Sequence, residues 1–256
     1  DNRDGSVNAT PEFISKVCAR RLSVGADGLL LVENPSDASA DFRMRYYNSD
    51  GGEAETCGNG ARCISRFAHL HGIAVESMSF ETAAGRYTAE IVGEGVKLGL
   101  SDPTDVRSDF TVALEDGERV ASFANTGVPH VVYFVEDVAS LDVVGLGGES
   151  RHHRDFAPAG TNANFAQVMS GDSLRLRTYE RGVEDETLAC GTGAVAAAIM
   201  ASLRGAVSSP TIVRVQGGFD LVIHFTNDGG SLRDIYLEGD ARIVCAGELR
   251  EDAWAY

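Results

Sequence analysis

Two stretches of this chain are copies of one plan, and that duplication limits what the chain can fold into. Residues 42–48, FRMRYYN, alternate apolar and polar side chains as a half-buried strand does, and residues 174–180, LRLRTYE, do the same. Each stretch leads into a Cys-Gly turn, CGNGA at 57–61 and CGTGA at 190–194. A helix-forming run follows each turn: ARCISRFAHLH (61–71), stopped by Gly72, and AVAAAIMASLR (194–204), ended near Gly205. The first copy continues with strand-like MSFET, GRYTAEIV and GVKLGL, the second with TIVRV, DLVIHF and DIYLEG. One ancestral unit is written twice. A composition break near Ser101-Asp102-Pro103 marks the seam. The expected domains are 1–106, carrying Cys57, and 107–239, carrying Cys190, with the tail at about 240–256 packing back on the first.

Composition narrows the function. A chain of 256 residues, 43% hydrophobic and 23% charged, has the balance of a globular protein, which excludes disordered, collagen-like and coiled-coil readings. Its formal charge of −16 would repel a phosphate backbone, so nucleic acid is excluded as a partner. No window reaches the ~18–20 apolar residues of a membrane span. The polar opening DNRDGSVNAT lacks a signal-peptide core, so a cytoplasmic protein with no membrane partner is expected. Five cysteines, at 18, 57, 63, 190 and 245, are an odd number at irregular spacing, which favours free thiols.

In both copies the cysteine sits at or just before a helix N-terminus. Unpaired backbone N–H groups and the helix dipole there favour negative charge and can lower a thiol pKa below the usual ~8.5. Cys57 and Cys190 are therefore candidate bases, and the same N–H groups can hold a carboxylate. If the halves face one another across a pseudo-twofold axis, one sulfur removes an α-proton while the other returns a proton to the opposite face. That inverts a stereocentre, with one residue thiolate and the other thiol.

Rival chemistries fit less well. Pyridoxal phosphate needs a lysine, and the only two, Lys16 in the helical PEFISKVCARRL and Lys97 in an alternating strand, lie in no phosphate-binding context. GTGAVA fits a loose dinucleotide pattern, but no acidic residue follows at the required distance in a βαβ context. Cys57 and Cys63 form no CxxC pair, and His69/His71 and His152/His153 lack ligand spacing, so no metal is expected. A plain Cys57–Cys190 disulfide or a thiol redox sensor are the alternatives for the pair. Cys18, Cys63 and Cys245 read as small buried hydrophobes.

YNSDGGEAETCGNGARC and YERGVEDETLACGTGA closely resemble the two signature segments of the diaminopimelate epimerase family, and GADGLLLV (25–32) resembles a third. The resemblance runs over nearly all of the chain. It implies an α+β fold of two pseudo-twofold-related domains, each a mostly antiparallel β-barrel around a central helix. It further implies cofactor-free interconversion of LL- and meso-diaminopimelate, in lysine and peptidoglycan-precursor biosynthesis. By that likeness Cys57 and Cys190 are the acid/base pair. Gly58 and Asn59 with Gly191 and Thr192 bind the reacting carboxylate. Asn48, Asn162, Glu180 and Arg181 hold the distal groups, and His130 (in GVPH) with Glu180 tunes the cysteines. Diaminopimelate is the one small-molecule partner; the sequence sets no oligomeric state, and a homodimer stays open.

Each role has a blander counterpart: Arg181 solvated at a strand end, Asn48 opening an Asx-turn, Asn162 capping a loop, His130 a satisfied structural histidine. The family pattern opens with a strand and HGLGNDF. This chain starts after that point, at Asp1-Asn2, which predicts an exposed sheet edge and one substrate contact fewer. Val128 stands where many members carry Asn, removing another distal amide. A related two-cysteine racemase of the proline racemase group and a non-catalytic scaffold are the other functional readings.

Overall fold

A computed structural model describes residues 1–54 and 57–256. The chain folds into two compact units, Asp1–Leu98 with Asp240–Tyr256, and Gly99–Gly239. The second unit begins earlier than the expected 107 because Thr104 already pairs with Asn125 in the unit's first hairpin.

In the first unit, α1 (Pro11–Cys18) starts at Thr10, whose side chain accepts from Phe13 N, with Pro11 at the first helical position. β1 (Gly28–Glu33), β2 (Phe42–Asn48) and the short β3 (Glu53–Ala54) lead to α2 (Gly58–Leu70), then to β4 (Ser77–Thr82), β5 (Gly85–Val92) and β6 (Gly95–Gly99). The sheet order is β1-β2-β4-β5-β6, with β3 on β2. Pairs are antiparallel except β2–β4, the two strands joined through α2. β1 lies at the end of this strand order, and Asn2 N donates to Val32 O at 2.7 Å. In the C-terminal segment, Trp254 stacks edge-on against Phe13 at 5.3 Å and Tyr256 Oη donates to Lys16 O at 2.9 Å.

The second unit opens with β7 (Thr104–Leu114), β8 (Gly117–Asn125) and β9 (Pro129–Phe134). It then repeats the first unit's plan in α3 (Val143–Arg151), β10 (Asn162–Ser170), β11 (Ser173–Glu180), β12 (Asp185–Thr187), α4 (Gly191–Leu203), β13 (Thr211–Arg214), β14 (Asp220–Asp228) and β15 (Ser231–Asp240). The order β10-β11-β13-β14-β15, with β12 on β11 and a parallel β11–β13 pair, copies β1-β2-β4-β5-β6 strand for strand. β9 pairs parallel with β10. Each unit is thus an α+β fold with a sheet curled about one helix.

The two helices solve burial differently. α4 is buried continuously from Gly193 to Ala201, so it needs apolar residues all round, and the run Ala-Val-Ala-Ala-Ala-Ile-Met-Ala supplies them with small side chains that let strands approach closely. Ala124, Val132, Ala166 and Leu176 pack against it, while Phe123, Val131, Tyr133 and Phe165 on the opposite sheet face form a second core with Tyr179 and Val143 of α3. α2 buries Ala61, Ile64 and Ala68 and leaves Cys63 exposed. No helix among the described residues is long and apolar enough to cross a membrane.

Candidate active site

Each unit sets one cysteine at the N-cap of its central helix. Cys57 is extended (φ −155°, ψ 107°) and its Sγ accepts from Gly60 N at 3.2 Å, satisfying one of the orphan donors of the first turn. It is half-buried. Gly60 packs closely there: a Cβ would lie 3.4 Å from Cys57 Sγ and 3.1 Å from Leu30 Cδ2, so only the leucine end would have to shift. Behind the turn, the buried Arg62 guanidinium bonds Asn59 Oδ1 at 2.8 Å and reaches Gly58 O and Asp240 O, fixing the turn. Burial of the Tyr46 phenol on β2, and then the neighbouring Cys57, push its pKa up to about 12, so it stays protonated. Asn48 ends β2, exposed, with its backbone tied to Gly51 and Gly52.

Cys190 is buried, 6% exposed, and lies 3.7 Å from Thr192 Oγ1. Burial, then the Glu180 carboxylate, push its thiol up to about 12; the Thr192 hydroxyl and the Gly193 and Thr192 amides act the other way without prevailing. The expected lowering by the helix N-terminus is therefore overturned at Cys190 by desolvation. Burial likewise raises the Glu180 carboxyl, with the Thr187 hydroxyl opposing. His130, on β9, is fully buried and bonds Thr192 Oγ1 through Nε2 at 2.9 Å; burial, and then Arg181, press its pKa to about 3, so it is a neutral imidazole. Thr126 Oγ1 donates to Thr192 O at 3.0 Å, tying the loop before β9, including the half-buried Val128, to the start of α4.

Gly58 and Asn59, and Gly191 and Thr192, are the first residues of α2 and α4. Asn162 is buried with both ends of its amide engaged, Nδ2 to Pro129 O at 3.0 Å and Oδ1 from Arg181 N at 2.8 Å, so it braces the GVPH loop against the Arg181 turn. The half-exposed Arg181 donates to Ala159 O at 3.1 Å. All five cysteines are free thiols; Cys18 is buried, but Cys63 and Cys245 are exposed, contrary to expectation, because one faces outward on α2 and the other lies in the irregular C-terminal segment. Sequence reasoning missed Tyr46, Arg62, Thr126 and Asn164; the last was visible only as a polar residue inside an apolar run.

The family model described as diaminopimelate epimerase matches residues 1–107 and 122–244. The chain is 45% identical over 248 residues to a diaminopimelate epimerase of Aquifex aeolicus, covering 96% of this chain and 88% of that protein. This chain belongs to the diaminopimelate epimerase family. A second family member, from Chlorobaculum tepidum, is 44% identical over 253 residues, 97% of this chain and 95% of that one. A solved Bacillus anthracis phenazine biosynthesis protein of the PhzF family shares the fold, with TM-score 0.68 at 18% identity over 94% of this chain and 88% of its own. The likeness to that structure is one of fold.

Proposed function

We propose that the chain interconverts LL- and meso-diaminopimelate without a cofactor, Cys57 and Cys190 exchanging the α-proton, and so serves lysine and peptidoglycan-precursor synthesis. One observation carries this: the same nucleophile stands at the N-cap of the central helix in both units, a place where folding alone favours Ser, Thr, Asp or Asn. A two-base inversion needs one thiol and one thiolate, and the raised Cys190 supplies the thiol in the resting enzyme. Cys57, with the Gly60 amide donating to it and the Tyr46 phenol as a neighbour, is then the base toward one stereoisomer. Gly58, Asn59, Gly191 and Thr192 offer first-turn amides to the reacting carboxylate. Asn48, Glu180 and Arg181 take the distal amino and carboxylate groups, Asn162 contributing through its hold on Arg181.

The test is conversion of LL-diaminopimelate by reduced protein without pyridoxal phosphate. Meso product is expected, proline should be left unchanged, and Cys57→Ser or Cys190→Ser should each cut turnover by ~100-fold or more. Full activity in both variants contradicts the assignment.

A further inference from the structure

β1 and β10 are equivalent strands of the two copies, and Leu30 and Asn164 are equivalent positions: Leu30 pairs with Tyr46 across to β2, Asn164 with Thr178 across to β11. Each also faces the second glycine of its Cys-Gly-x-Gly turn. A Cβ on Gly60 would meet Leu30, and a Cβ on Gly193 would overlap Asn164 Oδ1. The fold accepts leucine here. In the second unit it holds an amide at 0% exposure, where any unpaired polar group is costly.

That amide is fully used, and its orientation is fixed. Asn164 Nδ2 donates to Val131 O at 2.9 Å, and a backbone carbonyl can only accept; Oδ1 takes the Thr178 hydroxyl at 3.0 Å. The second Nδ2 hydrogen lies between His130 Nδ1 at 3.1 Å and the more distant Asn162 O at 3.4 Å; a protonated Nδ1 would set its hydrogen against this NH2 group, so Nδ1 is the unprotonated ring nitrogen. Nε2 therefore carries the hydrogen and donates to Thr192 Oγ1 at 2.9 Å. The Thr192 hydroxyl, already accepting, has its own hydrogen to give, and Cys190 Sγ is 3.7 Å off.

We infer that Asn164 is a positioning residue: it holds His130 as the Nε2–H tautomer, which turns the Thr192 hydroxyl into a donor aimed at Cys190 Sγ. No proton passes along this chain, since each member already donates in one direction. Its work is to offer a prearranged hydrogen bond when Cys190 becomes thiolate in an otherwise desolvating pocket. In the first unit the position equivalent to Thr178 is Tyr46, whose buried phenol neighbours Cys57, and the amide's place is taken by Leu30. The inference rests on Cys190 being part of the acid/base pair.

The experiment is 15N NMR of protein labelled at histidine, the His130 signals assigned by their loss in His130→Gln. Wild type should show Nδ1 unprotonated and Nε2 protonated at neutral pH; a ring protonated at Nδ1, or at both nitrogens, overturns the inference whatever the catalytic activity. Asn164→Asp, whose carboxylate accepts from Nδ1–H, should switch the tautomer and lower kcat about tenfold or more, the loss of one hydrogen bond to a charged group, with KM little changed. Thr192→Val should cost as much, and the double variant no more than the worse single. A switched tautomer with wild-type kcat overturns the link to Cys190. Should Asn164→Asp not fold, the wild-type spectrum and Thr192→Val decide. Absence of any epimerase activity beside the expected tautomer would instead count against the proposed function.

Discussion

Gly193 shows how much one hydrogen atom decides. A methyl there overlaps the Asn164 carboxamide, a buried group with its hydrogen bonds to keep, whereas at Gly60 it meets the movable end of Leu30 at 3.1 Å. Gly193→Ala should therefore destabilise by ~1–3 kcal/mol in chemical denaturation and Gly60→Ala by clearly less; equal costs would contradict the packing described. His130 and Cys190 also make stability depend on pH. Above about 6.5 the imidazole is neutral folded or unfolded; as pH falls from 6.5 toward 3 only the unfolded chain takes up this proton, and stability drains by up to ~1.4 kcal/mol per pH unit. Cys190 acts in the opposite sense, since from pH 9 toward 12 the unfolded chain ionises first. Denaturation midpoints should level off between these flanks, and His130→Gln should flatten the acid one; an acid flank unchanged by that variant would refute the burial of a neutral ring. The two cysteines could be read from sequence because a reactive residue recurs at a repeated place. Tyr46 and Asn164 could not, because their partners lie across strands, and Cys63 could not, because which helix face turns inward depends on packing.

At the scale of elements, the turn sequences carry the helix starts. Cys57 Sγ caps α2 through Gly60 N. Cys57→Ser should keep a capped helix and stability within ~0.5 kcal/mol of wild type, Cys57→Ala should lose about 1 kcal/mol, and both should lose turnover by ~100-fold or more. Equal stability of the two variants would show that the sulfur caps nothing. Alternation betrayed β2 and β11, whose outward residues are polar, and glycine stops betrayed α2 and α4, the latter with an alanine-rich run before it. β9 and β10 escaped notice for a physical reason: α4 covers one face and α3 the other, so Val131, Val132, Tyr133 and Phe165, Ala166 run on without a polar rhythm. α3, with three glycines and no apolar stripe, carried little signal of its own.

For the whole molecule, duplication is the organising fact, legible in two signature turns and then followed by every later element of each copy. The copies have since diverged: a half-exposed cysteine with a phenol in one, a buried cysteine with an amide-imidazole-hydroxyl relay in the other. Such inequality suits a pair in which one member rests as thiol. The central claim is that a proton is removed from and returned to a single α-carbon by these two sulfurs. Turnover of LL-diaminopimelate by the reduced protein in D₂O, without pyridoxal phosphate, should give meso product carrying one solvent deuterium at the inverted α-carbon, with none in Cys57→Ser or Cys190→Ser on the same timescale. Meso product that retains the original α-hydrogen, or undiminished deuterium uptake in both variants, would contradict it.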